Sequence, residues 1–129
     1  MKITLKDENF AGEALSQILI EIEKDSCTLK EIIEKRVEAE VEKYNKVLPK
    51  YFTGLVQPTE SEVTLNGYLI GNRRKIDVEK QVFVALNAFQ KNSFFVLVDD
   101  EQITELDEVI ELQSERKISF IKLTPLVGG

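Results

Sequence analysis

The tightest constraint in this sequence is the segment Thr28-Leu29-Lys30-Glu31 and the run that follows it as far as Tyr44. A Thr followed three residues later by Glu is a capping box: hydroxyl and carboxylate reciprocally satisfy backbone amides that a helix leaves open at its start. From there Leu29, Ile32, Ile33, Val37, Val41 and Tyr44 recur at spacings of three, four or their sums, and Lys30, Glu34, Lys35, Glu38, Glu42 and Lys43 take the other side. One apolar stripe and one charged face predict an amphipathic helix ending around Asn45 or Lys46. Such a helix must lay its stripe on something, and the flanking patterns are those of strands.

Met1, Ile3 and Leu5 alternate with Lys2, Thr4 and Lys6, the period of a strand with one buried face. Residues 7–12 supply turn chemistry, and alternation resumes at Ile18, Ile20 and Ile22, so the start of the chain reads as a long-looped β-hairpin. Ala14 to Leu19 also fits a helical turn. After the helix, Pro49, Gly54, Pro58, Gly67 and Gly71 break the pattern, and Asn66-Gly67 between two short apolar runs suggests a small hairpin. A second helix is expected from Asp77 as its cap, with Val78, Val82, Ala85, Leu86 and Phe89 on one face and Asn92 near its stop; Phe83, just outside that stripe, reads as core in preference to contact surface.

Phe94-Phe95-Val96-Leu97-Val98 is apolar without alternation, as in a strand covered on both faces, and Asp99-Asp100 turns it into Glu101-Gln102-Ile103. Leu106 to Leu112 reads as a turn and a short strand. Lys117 to Leu123 reads as a central strand that runs into Thr124-Pro125-Leu126-Val127-Gly128-Gly129.

Several function classes lose support on composition. A net charge of −6 lacks the basic face that nucleic acid requires, and the run Arg73-Arg74-Lys75 reads as a solvated loop. No apolar run approaches the ~20 residues of a membrane span, so a cytoplasmic, non-membrane protein is expected. With no histidine and Cys27 as the only cysteine, serine–histidine and cysteine–histidine catalysis, an internal disulfide and a metal-holding cysteine cluster are out of reach. Cys27 reads as a half-buried filler. No phosphate-binding glycine loop is present. The chain is expected to be no enzyme and to need no cofactor or metal; a site made of carboxylates alone is the remaining enzymatic alternative, although the carboxylates fall where charges sit in water.

The ending draws the functional reading. Pro125 has a fixed φ and no amide hydrogen, which favours an extended lead, and Gly128-Gly129 would offer a carboxylate on a stem that no Cβ thickens. A small terminus without function explains the residues equally well on sequence grounds.

The hairpin, the following helix and the last strand ending in Gly128-Gly129 resemble the ubiquitin-like β-grasp superfamily, which includes ubiquitin and the bacterial sulfur carriers of molybdopterin and thiamine synthesis. Asp107-Glu108-Val109 and Pro125-Leu126-Val127-Gly128-Gly129 are similar to segments of the molybdopterin synthase small subunit. The resemblance covers residues 1–45 and 94–129 and departs over the middle. It implies an α+β fold, a mixed β-grasp sheet packed on the amphipathic helix, in one domain spanning 1–129 with an insertion at about 47–92 and an exposed tail at 124–129.

By the same resemblance, an E1-like adenylating enzyme activates Gly129, with Gly128 in its narrow channel and Pro125, Leu126 and Val127 as the stretch it recognises. An E2-like conjugating enzyme and target lysines follow if the protein is a modifier. The alternatives are a sulfur carrier activated as a C-terminal thiocarboxylate, which the apolar Leu126-Val127 lead suits, and a noncovalent interaction module.

Overall fold

The computed structural model describes residues 1–71, 74–112 and 115–123. Strand β1 (Lys2–Glu8) pairs antiparallel with β2 (Ala14–Glu21), Leu5 opposite Ile18 and Ile3 opposite Ile20. The turn between them begins at Asn9, whose Oδ1 accepts from the backbone N–H groups of Ala11 and Glu13. Residues 7 and 8 therefore belong to the strand and not to the turn. The β period carries Asp7 onto the same face as Ile3 and Leu5, where it is buried.

Strand β3 (Ser26–Thr28) leads directly into helix α1 (Leu29–Val47). The capping box is formed: Glu31 N–H donates to Thr28 Oγ1 at 3.2 Å, and the Glu31 carboxylate accepts from the Thr28 N–H at 3.4 Å. Leu48 closes the far end in a left-handed conformation, its N–H donating to the Tyr44 carbonyl. Leu29, Ile32, Ile33, Val37, Val41 and Tyr44 are all buried, and burial of each aliphatic side chain contributes roughly 1.5–3 kcal/mol. Thr28→Ala should cost about 1 kcal/mol through the lost cap. Thermal melts of both forms check this; an unchanged midpoint would show that the β3 pairing alone fixes the helix start.

The middle of the chain forms strands β4 (Tyr51–Phe52), β5 (Ser61–Thr64) and β6 (Gly67–Ile70), in the order β4-β6-β5. Thr64 pairs with Gly67, so the two-residue turn is Leu65-Asn66 and Gly67 already belongs to the strand. Its φ of 129° and the Phe52 carbonyl, 2.9 Å from where a Cβ would stand, restrict this position to glycine. Helix α2 (Val78–Gln90) is capped by Asp77, which accepts from the Lys80 N–H, and rests against α1. Ala85 and Phe89 are buried, but Phe83 is 71% exposed, which corrects its assignment to the core. At two residues from both Ala85 and Gln81, a helix turns Phe83 away from the face they define.

Strand β7 (Phe94–Val98) turns through Asp99 and Asp100, both at positive φ, into β8 (Glu101–Ile103). Asp99 tolerates this conformation with its carboxylate accepting from the Lys117 N–H and from Arg116. Phe94, Val96 and Val98 are buried while Phe95 and Leu97 are only partly so, so this strand has one core face rather than two. Strand β9 (Val109–Glu111) pairs with β3, and β10 (Ile118–Lys122) enters the main sheet.

That sheet has the order β2-β1-β10-β7-β8; β1 and β10 are parallel and every other neighbouring pair is antiparallel. The architecture is α+β: a mixed sheet and two helices. One buried cluster joins Leu5, Val96, Ile118 and Phe120 of the sheet to the α1 stripe and to Phe52, Leu55, Ile70 and Ala85 of the middle segment.

Candidate functional site

The last strand is held in the centre of the sheet up to its end. Lys122 pairs with Phe94, and the Leu123 N–H donates to the Ser93 carbonyl at 3.3 Å. Of the residues singled out in the sequence, Pro125, Leu126, Val127, Gly128 and Gly129 lie outside the described residues, as does Arg73; Arg74 forms an ion pair with Glu60. What the structure describes is the root from which these terminal residues follow.

On one face of the sheet that root is flanked by Ile121 and by Phe10, whose ring meets Phe95 edge-on at 6.5 Å. On the other face lies a buried group of charges that sequence reasoning missed. The Arg36 guanidinium grips Asp7 with two bonds, Nη1 to Oδ1 at 2.6 Å and Nη2 to Oδ2 at 2.7 Å, and its Nε donates to Glu40 at 3.3 Å. Its carbon centre stands 4.7 Å from the centroid of the Phe120 ring. Glu40 also accepts from the Leu55 N–H, Ser16 donates to Asp7, and Lys122 Nζ lies 2.8 Å from the Gly54 carbonyl and 3.7 Å from Asp7 Oδ2.

Arg36 is 2% exposed, and the side chains of Asp7 and Glu40 are each 8% exposed. Helical spacing explains the pair on α1: Arg36 is four residues after Ile32 and three after Ile33, so it continues the apolar stripe, and Glu40 follows one turn later. A bidentate guanidinium–carboxylate pair is among the few ways a charge can be buried at acceptable cost. The cluster ties β1, β10, α1 and the 54–55 segment together at the end of β10. It borders a cavity of about 460 Å³ walled by Ile18, Tyr44, Val47, Tyr51 and Phe52.

The environments push the two carboxyls apart. For Asp7, burial raises the pKa, but the Arg36 bonds and charge outweigh it and hold the group below its ordinary value. For Glu40, burial dominates over Arg36 and the Leu55 N–H, and the pKa is raised. Lys122 is lowered, chiefly by burial. A carboxyl with a raised folded pKa binds its proton more tightly in the native state. Its contribution to stability therefore grows as pH falls from above the folded value toward the unfolded one, about 4.3.

Glu40→Gln removes that dependence. Wild type should consequently gain stability relative to this variant as pH is lowered toward about 4.3, measured by urea unfolding across the pH series. A relative loss over the same window would contradict the assignment.

Two further polar groups are accounted for by packing. Glu8, buried on the opposite face, accepts from Ser119 at 3.0 Å, with Lys117 3.6 Å away. Cys27 is buried rather than half-buried, and burial pushes its thiol up to about 11, which suits a packing role. Among the described residues no group of histidine, cysteine or carboxylate side chains has the arrangement of a metal site, and no helix is long and apolar enough to cross a membrane.

No family model, curated protein or solved structure matches this chain. The functional reading accordingly rests on the sheet topology and on the residues that follow β10.

Proposed function

We propose that this is a ubiquitin-like β-grasp protein, a single domain elaborated over residues 47–92, and that it acts as a protein modifier. Its Gly129 carboxylate is adenylated by an E1-like enzyme, passed as a thioester to an E2-like enzyme, and joined to a lysine ε-amino group of a target. The observation that carries the reading is the position of β10. A last strand lying in the sheet centre, parallel to the first strand of an opening hairpin and followed in sequence by Gly128-Gly129, suits a protein that offers the residues after that strand to an enzyme.

Activation of a carboxylate proceeds by attack of its oxygen on the α-phosphate of ATP, with pyrophosphate as the leaving group. The product is an acyl adenylate whose carbonyl a thiolate can attack, releasing AMP. The chain's own part is to present the stem, and the cluster of Asp7, Arg36, Glu40 and Lys122 supports it by fixing the strand from which the stem departs.

The sulfur carrier is the second reading, favoured by the apolar Leu126-Val127 lead. In that case sulfide-level sulfur attacks the acyl carbonyl of the adenylate, the bond to AMP breaks and AMP leaves, and a thiocarboxylate remains. The two are separated by recovering the protein from its host under denaturing conditions with an antibody against the chain. Higher-mass species that resist thiol treatment and vanish on deletion of Gly129 are expected for the modifier. A lone species of monomer mass carrying sulfur for oxygen would replace the modifier by the carrier.

A further inference from the structure

Strand β2 is one of the two edge strands of the main sheet, β8 being the other, and its free edge carries unused pairing capacity. Met1 and Ile22 exchange both backbone bonds, the Met1 amino group donating to the Ile22 carbonyl at 2.9 Å and the Ile22 N–H to the Met1 carbonyl at 3.0 Å. Bonded and non-bonded pairs alternate along an antiparallel ladder. In the observed register Ile3–Ile20 and Leu5–Ile18 are then bonded pairs, and Lys2–Glu21, Thr4–Leu19 and Lys6–Gln17 are not. The N–H and C=O groups of Gln17, Leu19 and Glu21 therefore point away from β1. Among the described residues, no backbone hydrogen bond reaches them from that side.

The usual guards of an open edge are missing here. Residues 14–21 contain no proline, lysine or arginine, and their one charge, Glu21, is turned to the Met1 ammonium at 2.9 Å. Leu19, on the solvent face of the sheet, is 60% exposed.

We infer that β2 is a self-association edge, which pairs antiparallel with β2 of a second copy about a two-fold axis through Leu19. The strand is self-complementary in this register. Leu19 meets Leu19 on the axis, Gln17 of each copy stands opposite Glu21 of the other so that an amide can donate to a carboxylate, and Ile18 faces Ile20. Leu19–Leu19 and the two Gln17–Glu21 pairs are of the bonded kind, while Ile18 and Ile20 keep their backbone bonds to β1; this gives six backbone hydrogen bonds and joins two five-stranded sheets into one.

A register centred on Gln17 is worse, because it sets Glu13 against Glu21 and draws the irregular segment at residues 14–15 into the ladder. An unrelated strand would have no reason to match the symmetry of Gln17, Leu19 and Glu21. A contact of five residues per strand is small, so the dimer is reversible and depends on concentration.

Sedimentation velocity of the full chain over a series from about 1 to 500 µM tests this. The expected result is a shift from monomer to dimer, with Leu19→Lys raising the dissociation constant roughly tenfold or more by opposing two cations on the axis. Leu19 is exposed, so the circular dichroism of that variant should match wild type. Gln17→Lys sets a cation against Glu21 of the other copy and should retain or tighten the dimer. A monomer at every concentration, a dimer indifferent to Leu19→Lys, or a dimer abolished by Gln17→Lys would each overturn the inference.

Discussion

Asp7→Asn is expected to lower the unfolding free energy by about 3–5 kcal/mol at neutral pH, a large share of the stability of a domain of this size. The substitution preserves shape, removes the charge and replaces one of the two oxygens that accept from Arg36 by an amide NH2, which can only donate. It leaves the Arg36 guanidinium, 2% exposed and bound through both Nη atoms to Asp7, with Glu40 as its remaining carboxylate. Glu40 is ill suited to compensate, since burial already favours its protonated form.

The pH dependence has a definite sign. The depressed folded pKa of Asp7 means that its stabilisation is fully present above the unfolded value, about 3.9, and is lost as pH falls through the folded value. The difference between wild type and Asp7→Asn should thus be constant near neutrality and close in strong acid. Urea titrations at several pH values provide the measurement. A loss below about 1 kcal/mol at pH 7 would mean that water, rather than Asp7, satisfies Arg36.

Deletion of Gly129 should abolish adenylation and every product downstream of it, with the melting temperature unchanged. Replacing Gly128 by Leu should have nearly the same effect on activation, because a branched side chain obstructs close approach of the backbone to the nucleotide and restricts φ and ψ. The described contacts that fix β10 end at Leu123, and neither change alters a residue of the buried cluster. ATP–pyrophosphate exchange with the host's adenylating fraction reads the effect. Undiminished exchange with the truncated chain would remove Gly129 from the site.

The legible parts of this fold were those in which local chemistry and burial agree. The capping box at Thr28, the stripe from Leu29 to Tyr44, the cap at Asp77 and the Asp99-Asp100 turn each carry their signal within a few residues, and each is present. The buried charges were illegible for a physical reason. Asp7 follows an alternating run but looks like turn chemistry, and Arg36 and Glu40 look like two more charges on a helix rich in them. Only the meeting of β1, α1 and β10 makes them one site, with Arg36 29 positions and Lys122 115 positions from Asp7 in the sequence.

Strands β3 and β4, of three and two residues, are too short to show a period; their pairing comes from partners distant in sequence. Phe83 shows the opposite error: an apolar residue was credited to the core although helical geometry around Gln81 and Ala85 turns it to solvent. The terminal residues 125–129 were read from composition and resemblance, and the arrangement of β10 adds to that reading only the position of its root.

The central claim is that Gly129 is the group this protein uses. Tandem mass spectrometry of the C-terminal peptide, taken from the protein as recovered from its host, tests it most directly. The account predicts the Gly129 carbonyl in amide linkage to a lysine ε-nitrogen of another protein; a thiocarboxylate at the same atom would keep the site and change the class to sulfur carrier. A free, unmodified Gly129 carboxylate in every preparation, together with full function of the chain lacking Gly129, would contradict it.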